Sequence, residues 1–343
     1  MGLLRLILAI SVLIAHSTPI FGFTLVGGRV AVQSFFMLSG FAIALTFSHK
    51  YQNDLKSFYK NRFIKLFPLY WFFTIAVIIT SFITTGKFTI FKDYLITPIS
   101  KIILIIFNTT PLFTDVTNFL ALNINNGQIF FTSAFRNTVP EIWNYLILPQ
   151  GWTIGLEITF YFFAPLLIKQ KTKTLIIISA FSLIARILAY QFLGLAHDPW
   201  EYRFFPFEII YFIAGILAYR IYIESRMGRL YIRPFLLIIP IFAFTILFQY
   251  IPFNTKRMIA YYFIFFLSIP FLFHLSKDNK FDRLLGEISY PLYLCHFLII
   301  DIFAQVLKVN HQYLGLYSLL ISLPVATISY FLIQKPSQSL RKL

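Results

Sequence analysis

Ten apolar runs, each long enough to cross a lipid bilayer, decide what this 343-residue chain can fold into. A helix rises about 1.5 Å per residue, so it needs about 20 apolar residues to span a hydrocarbon layer about 30 Å thick. Because lipid offers no partner for backbone polar groups, such runs form helices. The predicted spans cover residues 3–23, 30–48, 66–84, 152–168, 174–194, 204–222, 234–251, 256–275, 290–307 and 312–333. The sequence therefore predicts an all-α polytopic membrane protein with about ten transmembrane helices, organised as a single membrane domain over residues 1–343.

The composition excludes several other classes of protein. Hydrophobic residues make up 58% of the chain, charged residues only 12%, and the mean hydropathy is +0.76, which ordinary soluble domains do not reach. The net charge of +16 does not indicate a nucleic-acid partner, because the basic residues are spread over short breaks between apolar runs. The single cysteine, Cys295, excludes an intrachain disulfide framework, and no Cys/His group has metal-site spacing. We therefore expect neither nucleic acid nor a metal as a partner.

The distribution of basic residues predicts the orientation of the chain. With ten spans and a cytoplasmic N-terminus, about twice as many lysines and arginines fall on the cytoplasmic side as on the opposite side. Both termini are therefore predicted to be cytoplasmic. A further apolar piece, 96–107, is short and contains Pro98 and Lys101, so we interpret it as an interfacial or re-entrant part of the connection 85–151. If it were an eleventh span, the orientation of every later helix would be inverted.

Ionisable side chains inside predicted spans are the first candidates for chemistry, because a charged group in lipid is costly and usually serves a function. The first span carries Arg5 near its start and His16 eleven residues later. Helical rise places His16 about 16 Å beyond Arg5, near the middle of the bilayer. His16 is thus either a functional residue or a histidine that hydrogen-bonds to a neighbouring helix.

Two further segments combine small or basic residues with apolar ones. Ser39 and Gly40 in the second span permit close helix approach, which is a packing signal. Arg62 and Lys65 lie three residues apart and therefore share one helical face at the predicted cytoplasmic boundary. Two cations on one face can bind phosphate groups or can anchor the helix to lipid headgroups, and as a bare pattern the anchor is the commoner case.

Acidic residues and a second histidine complete the set of candidates. Glu157 lies more than a turn inside the span that opens at Trp152, so its carboxylate needs a histidine, an arginine or a hydroxyl group as a partner. His296 is the second histidine inside a span near its functional face. For the other buried ionisable residues we expect structural pairs rather than catalysis; these are Arg186, Glu208, His274 and Asp301.

Taken together, these segments resemble the acyltransferase family 3 membrane proteins, bacterial O-acetyltransferases of lipopolysaccharide O-antigen and other envelope or secreted glycans. The resemblance covers nearly the whole chain and is in the membrane-only form, without the SGNH-type hydrolase domain that some members add. The matching elements are Arg5 with ten residues before His16, the FFMLSGF run at 35–41, the Arg62-to-Pro68 boundary, the set Trp152, Glu157, Phe160, Tyr161 and Pro165, and Ser289-Tyr290 to His296.

The chain departs from the family pattern at two positions. Lys65 stands where the family commonly has a second arginine, which removes a bidentate fork but keeps a cation that can bind phosphate. Gln334 stands where the family often has a glutamate in its closing Glu-Lys-Pro turn, so any role of that carboxylate is absent.

The resemblance implies an enzyme of the bacterial inner membrane that takes an acetyl group from cytoplasmic acetyl-CoA. The acceptor implied is a hydroxyl of a cell-envelope or secreted glycan or of a lipid-linked sugar, and no metal takes part. His16 is implied as the catalytic residue, and Arg5, Arg62 and Lys65 as ligands of the coenzyme A phosphates. The resemblance also points to a set of substrate-binding or supporting residues: Ser39, Trp152, Tyr161, Tyr290 and His296.

Two questions of mechanism and class stay open at the level of sequence. We add Glu157 as a hypothetical catalytic partner that orients the ring of His16, and transfer can be direct or can pass through an acetyl-histidine. The rival class is a proton-coupled exporter of a lipid-linked sugar or a small metabolite, since scattered intramembrane ionisable residues suit a transporter too. Such transporters often carry internal repeats, and the sequence shows none.

Overall fold

The computed structural model of the chain describes residues 1–52, 54–85, 96–224, 235–252 and 254–340, and most of these residues are helical. Three of the helices are continued by short π-helical turns, at Phe47–Tyr51, Ile302–Val306 and Tyr330–Gln334. The helices are α1 (Gly2–His16), α2 (Gly27–Thr46), α3 (Leu55–Thr85), α4 (Pro98–Thr109), α5 (Trp152–Lys169), α6 (Thr172–Phe192), α7 (Phe205–Glu224), α8 (Phe235–Leu247), α9 (Thr255–Ser276), α10 (Lys280–Asp301), α11 (Leu314–Ser329) and α12 (Lys335–Ser339).

The predicted all-α polytopic class is confirmed. Within the described ranges, eight helical segments are long and apolar enough to cross a membrane, and three further apolar helices are shorter: Gly2–His16, Pro98–Thr109 and Leu236–Tyr250. Each of the ten predicted spans overlaps one of these helices, and the apolar piece 96–107 forms most of α4. The sides on which the termini lie, the membrane placement of α4 and the single-domain assignment stay predictions.

Helix α1 ends at His16, whereas the apolar run predicted a span as far as residue 23. Pro19 has no backbone N–H to continue the helix and disfavours a helical backbone at the residue before it, so it favours a helix end at this point. The chain then turns tightly through Phe21 and Gly22, both with positive φ, and Ile20 pairs with Phe23. His16 is therefore the last helical residue of α1, where side chains can reach groups beyond the helix.

The chain forms two compact units. Unit 1 comprises Met1–Phe58, Ala164–Leu175 and Tyr211–Lys335, and unit 2 comprises Tyr59–Phe163, Ile176–Ile210 and Pro336–Leu343. In unit 1, α1 packs against α2 and α10, α10 packs against α11, and α9 packs against α8 and α2. This arrangement brings the first helix of the chain against one of the last.

Unit 2 contains the long connection between α3 and α5. It includes α4 and a hairpin of β1 (Leu120–Leu122) and β2 (Ile129–Phe131), antiparallel with Leu120 opposite Phe131. A small apolar core holds the connection together, formed by Ile96, Leu104, Leu122, Ile142 and Tyr145. Elsewhere in unit 2, Arg186 forms an ion pair of 2.6 Å with Glu208, which is fully buried. This is the structural pairing expected of those two residues.

Helix α2 and the part of α7 in unit 1 approach each other through two glycines. A Cβ atom on Gly40 would lie 2.0 Å from the carbonyl oxygen of Phe212, and a Cβ atom on Gly215 would lie 2.0 Å from that of Met37. Backbone atoms cannot yield as a flexible side chain can, so neither position has room for a methyl group. The close helix approach predicted from Ser39 and Gly40 therefore occurs at Gly40.

We expect Gly40→Ala to lower the free energy of unfolding by about 3 kcal/mol, because the added methyl group forces the two helices apart. Thermal unfolding of the purified protein in detergent measures the change. Gly151→Ala is the matched control, since a Cβ atom there would meet the Tyr70 ring at an ordinary 3.5 Å. An unchanged melting temperature for Gly40→Ala would contradict the prediction.

Candidate functional site

Two histidines that are far apart in the sequence meet in unit 1. His16 ends α1 and His296 lies in α10, and Nδ1 of His16 is 3.1 Å from Nε2 of His296. The two rings are stacked, with centroids 5.1 Å apart and an interplanar angle of 21°. His296 is only 1% exposed, whereas His16 is exposed. The pair thus has one fixed member inside the unit and one accessible member at the helix end.

The hydrogen bonds of His296 assign a role to each ring nitrogen. Nδ1 of His296 lies 2.6 Å from the carbonyl oxygen of Tyr293, and a carbonyl oxygen only accepts, so this nitrogen carries the proton. In the neutral ring, Nε2 of His296 is then an acceptor, and Nδ1 of His16 must donate to it. The remaining nitrogen of His16, Nε2, therefore holds the lone pair and is the basic atom of the pair.

The residues just after His16 form hydrogen bonds to α1 and α11. The hydroxyl of Ser17 donates to the carbonyl oxygen of Leu13 at 2.8 Å, and Thr18 Oγ1 accepts a hydrogen bond of 2.8 Å from the backbone N–H of Gly315. Gly315, in α11, has no space for a side chain, because a Cβ atom would lie 2.1 Å from the carbonyl oxygen of Thr18. These contacts fix the end of α1 and hence the position of the imidazole.

Arg5 lies near the opposite end of the same helix. Ten residues of α1 lie between Arg5 and His16, and the eleven steps along the helix give a rise of about 16 Å. Its side chain is half-buried, and its Nε atom is buried without a hydrogen-bond partner in the described part of the chain. A buried guanidinium nitrogen without a partner is costly, so an anion at this end of α1 would satisfy it.

In unit 2, a carboxylate, a phenol and a guanidinium lie together. The hydroxyl of Tyr161 donates to Glu157 Oε1 one helical turn away in α5, and the guanidinium carbon of Arg62 lies 5.9 Å from the centre of the Tyr161 ring. Arg62 is buried and Lys65 half-buried in α3. Tyr161 thus provides the hydroxyl partner that the position of Glu157 requires.

The remaining predicted site residues are distributed over both units. Ser39 is buried in α2 and Tyr290 is half-buried in α10, both in unit 1. Trp152, at the start of α5 in unit 2, is buried beneath the guanidinium carbon of Arg203, 4.3 Å from its ring centre. Because Glu157 belongs to unit 2 and His16 to unit 1, the proposed pairing of these two residues stays a prediction.

Similarity to known proteins decides the class of reaction. The family described as an acyltransferase domain matches residues 1–334, nearly the whole chain. The chain belongs to acyltransferase family 3. An uncharacterized protein of Aquifex aeolicus (strain VF5) is 27% identical over 229 residues, which cover 64% of this chain and 97% of that protein. No solved structure matches significantly. The chain is thus a multi-pass membrane acyltransferase.

The acyltransferase contains a buried carboxyl group that no sequence pattern predicted. Asp115 lies in a 3-10 turn, Thr114–Phe119, outside the helices that can span a membrane; it is 9% exposed, and its Oδ1 has no hydrogen-bond partner within the described ranges. A Cβ atom on Gly155, two residues before Glu157, would lie 2.6 Å from this oxygen. No sequence signal distinguishes Asp115 from a solvated aspartate, because its burial depends on packing against α5.

Asp115 predicts a pH-dependent stability. Burial raises the pKa of Asp115 to about 6, from 3.8. The pKa of Asp115 is higher in the folded protein than in the unfolded chain, so the folded state favours the protonated carboxyl group. The stability that this protonated group contributes is complete below about pH 3.8 and is lost as the pH rises through about 6. We expect Asp115→Asn to be more stable than the native protein by up to about 3 kcal/mol at pH 8, and this difference to vanish toward pH 4. Unfolding in detergent across this range measures it.

The control for this comparison is Asp278→Asn, which removes an exposed carboxyl group of the same type. This variant should follow the native protein at every pH. If Asp115→Asn and the native protein keep a constant difference from pH 4 to 8, Asp115 does not titrate in this range and the prediction is wrong.

Proposed function

We propose that this acyltransferase moves an acetyl group from cytoplasmic acetyl-CoA to a hydroxyl of a cell-envelope or secreted glycan, or of a lipid-linked sugar, in the bacterial inner membrane. The observation that carries the proposal is the contact between His16 and His296, 3.1 Å between ring nitrogens, at the end of α1. It leaves a basic nitrogen on an accessible imidazole, which acyl transfer to a hydroxyl requires.

The chemistry assigned to His16 follows from the reactivity of a thioester, which is already an activated acyl donor. Nε2 of His16 accepts the proton of the acceptor hydroxyl while the oxygen attacks the thioester carbonyl carbon. The carbon–sulfur bond breaks, and the departing thiolate takes the proton back from the imidazolium. His296 holds the reactive tautomer by accepting from Nδ1, as the aspartate does in a Ser-His-Asp triad. The alternative route first transfers the acetyl group to His16 and then to the hydroxyl.

The basic residues suit the phosphates of the donor. We assign Arg5 in unit 1 and Arg62 and Lys65 in unit 2 as phosphate ligands, because guanidinium groups bind phosphate as a fork and ammonium groups as a point charge. The partnerless Nε of Arg5 fits an anion. The rise of about 16 Å from Arg5 to His16 is roughly the reach of an extended pantetheine arm. The thioester can then meet His16 while the phosphates stay at the start of α1.

The other predicted residues keep supporting roles in the proposal. Glu157, hydrogen-bonded by Tyr161, is the hypothetical orienting carboxylate. Trp152, Ser39 and Tyr290 are proposed to shape the substrate sites. Trp152 shares α5 with Glu157, Tyr290 shares α10 with His296, and Ser39 lies in α2, which packs against the helix of His16.

The test is acetyl-CoA consumption by membranes that contain the protein, with mass spectrometry of the envelope glycans. We expect release of free coenzyme A thiol and a glycan mass gain of one acetyl group, both absent from membranes of cells that lack the protein. If the thioester is not consumed and a lipid-linked sugar still crosses the membrane, the exporter interpretation replaces this one.

A further inference from the structure

Unit 1 contains a cavity of about 590 Å³ where α2 begins and α9 begins. Its wall comes from Thr24–Val30 and, later in the chain, from residues 248–252 with Arg257 and Met258; on the predicted topology both parts face the side opposite the cytoplasm. Two arginines, Arg29 and Arg257, line it, and the described residues of its wall include no aspartate or glutamate. Both charged side chains in the described wall are therefore cationic.

Arg257 is held rigidly in the wall. It is 9% exposed, its Nη1 donates to the carbonyl oxygens of Phe248 and Ile251, and its guanidinium carbon lies 4.1 Å from the centre of the Phe248 ring. These partners orient the guanidinium but carry no negative charge. A fixed guanidinium in the same cavity wall as a second arginine favours a carboxylate or phosphate ligand, because both match its planar fork.

The start of α2 adds to the positive potential. Its first residues, Gly27 and Gly28, lie in the cavity wall. The N-cap residue is Val26, and no side chain forms a capping hydrogen bond at this helix end. The first N–H groups of a helix have no partner within the helix, and the helix dipole is positive at this end. The cavity thus combines two guanidinium groups with backbone donors of a 20-residue helix.

The cavity lies next to the catalytic end of α1. A Cβ atom on Gly28 would be 3.3 Å from the Cβ of Ala15, the residue before His16. Gln249, in the opposite wall, accepts from the Thr24 hydroxyl at 2.7 Å and donates to the carbonyl oxygen of Gly22 at 2.9 Å. The loop that follows His16 is thereby tied to the cavity, whereas Arg5 lies at the other end of α1.

We propose that this cavity binds an anionic group of the acceptor and holds the acceptor beside His16. The group is a carboxylate of a uronic acid residue or the diphosphate of a lipid-linked sugar. The inference rests on the proposed acyl transfer and specifies its acceptor. The coenzyme phosphates are assigned to the end of α1 that carries Arg5, so the donor does not account for a second basic site near His16.

The test uses binding to the purified, detergent-solubilised protein, with glucuronate and inorganic pyrophosphate as probes and glucose as the neutral reference. We expect at least one anion to bind saturably and more tightly than glucose. Arg29→Gln should weaken this binding at least about tenfold, the typical loss for one charge-assisted contact, and Arg29→Lys should weaken it less. Lys256→Gln is the matched control, because it removes an exposed cation next to Arg257 but outside the cavity.

Each outcome has a defined meaning. Binding of glucuronate alone supports the uronic acid, binding of pyrophosphate alone supports the diphosphate, and binding of both supports an anion subsite that accepts either group. Equal affinity of the native protein and Arg29→Gln, or no preference for either anion over glucose, overturns the inference. Acetyl-CoA consumption, measured on the same preparation, separates the two proposals: anion binding without thioester consumption refutes acyl transfer alone, and acetyl transfer without anion binding refutes the anion subsite alone.

Discussion

Replacing His16 with alanine is expected to lower kcat for acetyl transfer by at least about 1000-fold, with the protein still folded. The variant loses the nitrogen that accepts the hydroxyl proton and, if transfer is covalent, the nucleophile as well. Because His16 is exposed at the end of α1, its removal leaves no large hole in the packed interior. The fall should therefore appear in kcat, while the KM for acetyl-CoA changes little.

The measurement is initial-rate coenzyme A release with the purified protein, and His311→Ala is the control because it removes another exposed histidine of unit 1. That control should keep nearly native activity. Rapid quenching with acetyl-CoA in the absence of acceptor, followed by mass spectrometry, distinguishes an acetyl-histidine from direct transfer. Activity of His16→Ala within tenfold of the native value would exclude His16 as base and as nucleophile.

The helices of this protein are largely predictable because membrane insertion imposes a length and a hydropathy on each of them. The prediction for 152–168 corresponds to a helix over Trp152–Lys169, and that for 256–275 to one over Thr255–Ser276. The end of α1 could not be predicted from hydropathy, because the residues after His16 remain apolar. The end of the helix depends there on backbone geometry, namely on Pro19 and on the positive-φ turn at Phe21 and Gly22.

The candidate site was only partly predictable, because some of its residues are far apart in the sequence. Arg5 and His16 share one helix, so their spacing can be obtained from helical rise alone. The contact between His16 and His296 joins residues 280 positions apart and depends on the packing of α1 against α10, which no local pattern encodes. The same holds for the cavity at Arg29 and Arg257, whose two wall segments come from opposite halves of the sequence.

Replacing His296 with leucine is expected to lower kcat about 100-fold without a comparable change in KM for acetyl-CoA. Leucine keeps the apolar bulk but cannot accept the hydrogen bond from Nδ1 of His16, so the ring no longer has a fixed tautomer or orientation. Glutamine can place its amide oxygen near the position of Nε2 and accept that bond. His296→Gln should therefore recover about tenfold of the lost activity, which a purely structural role of His296 would not produce.

Cys295→Ala is the matched control for packing, because Cys295 is the fully buried neighbour of His296 in α10. It should cost about 1 kcal/mol of stability and leave kcat nearly unchanged, since Cys295 makes only weak contacts through its sulfur. Melting temperatures of all three variants separate loss of fold from loss of orientation. If His296→Leu keeps kcat within threefold of the native value, or if His296→Gln is no more active than His296→Leu, then His296 does not position the catalytic imidazole, and His16 must be oriented by other groups.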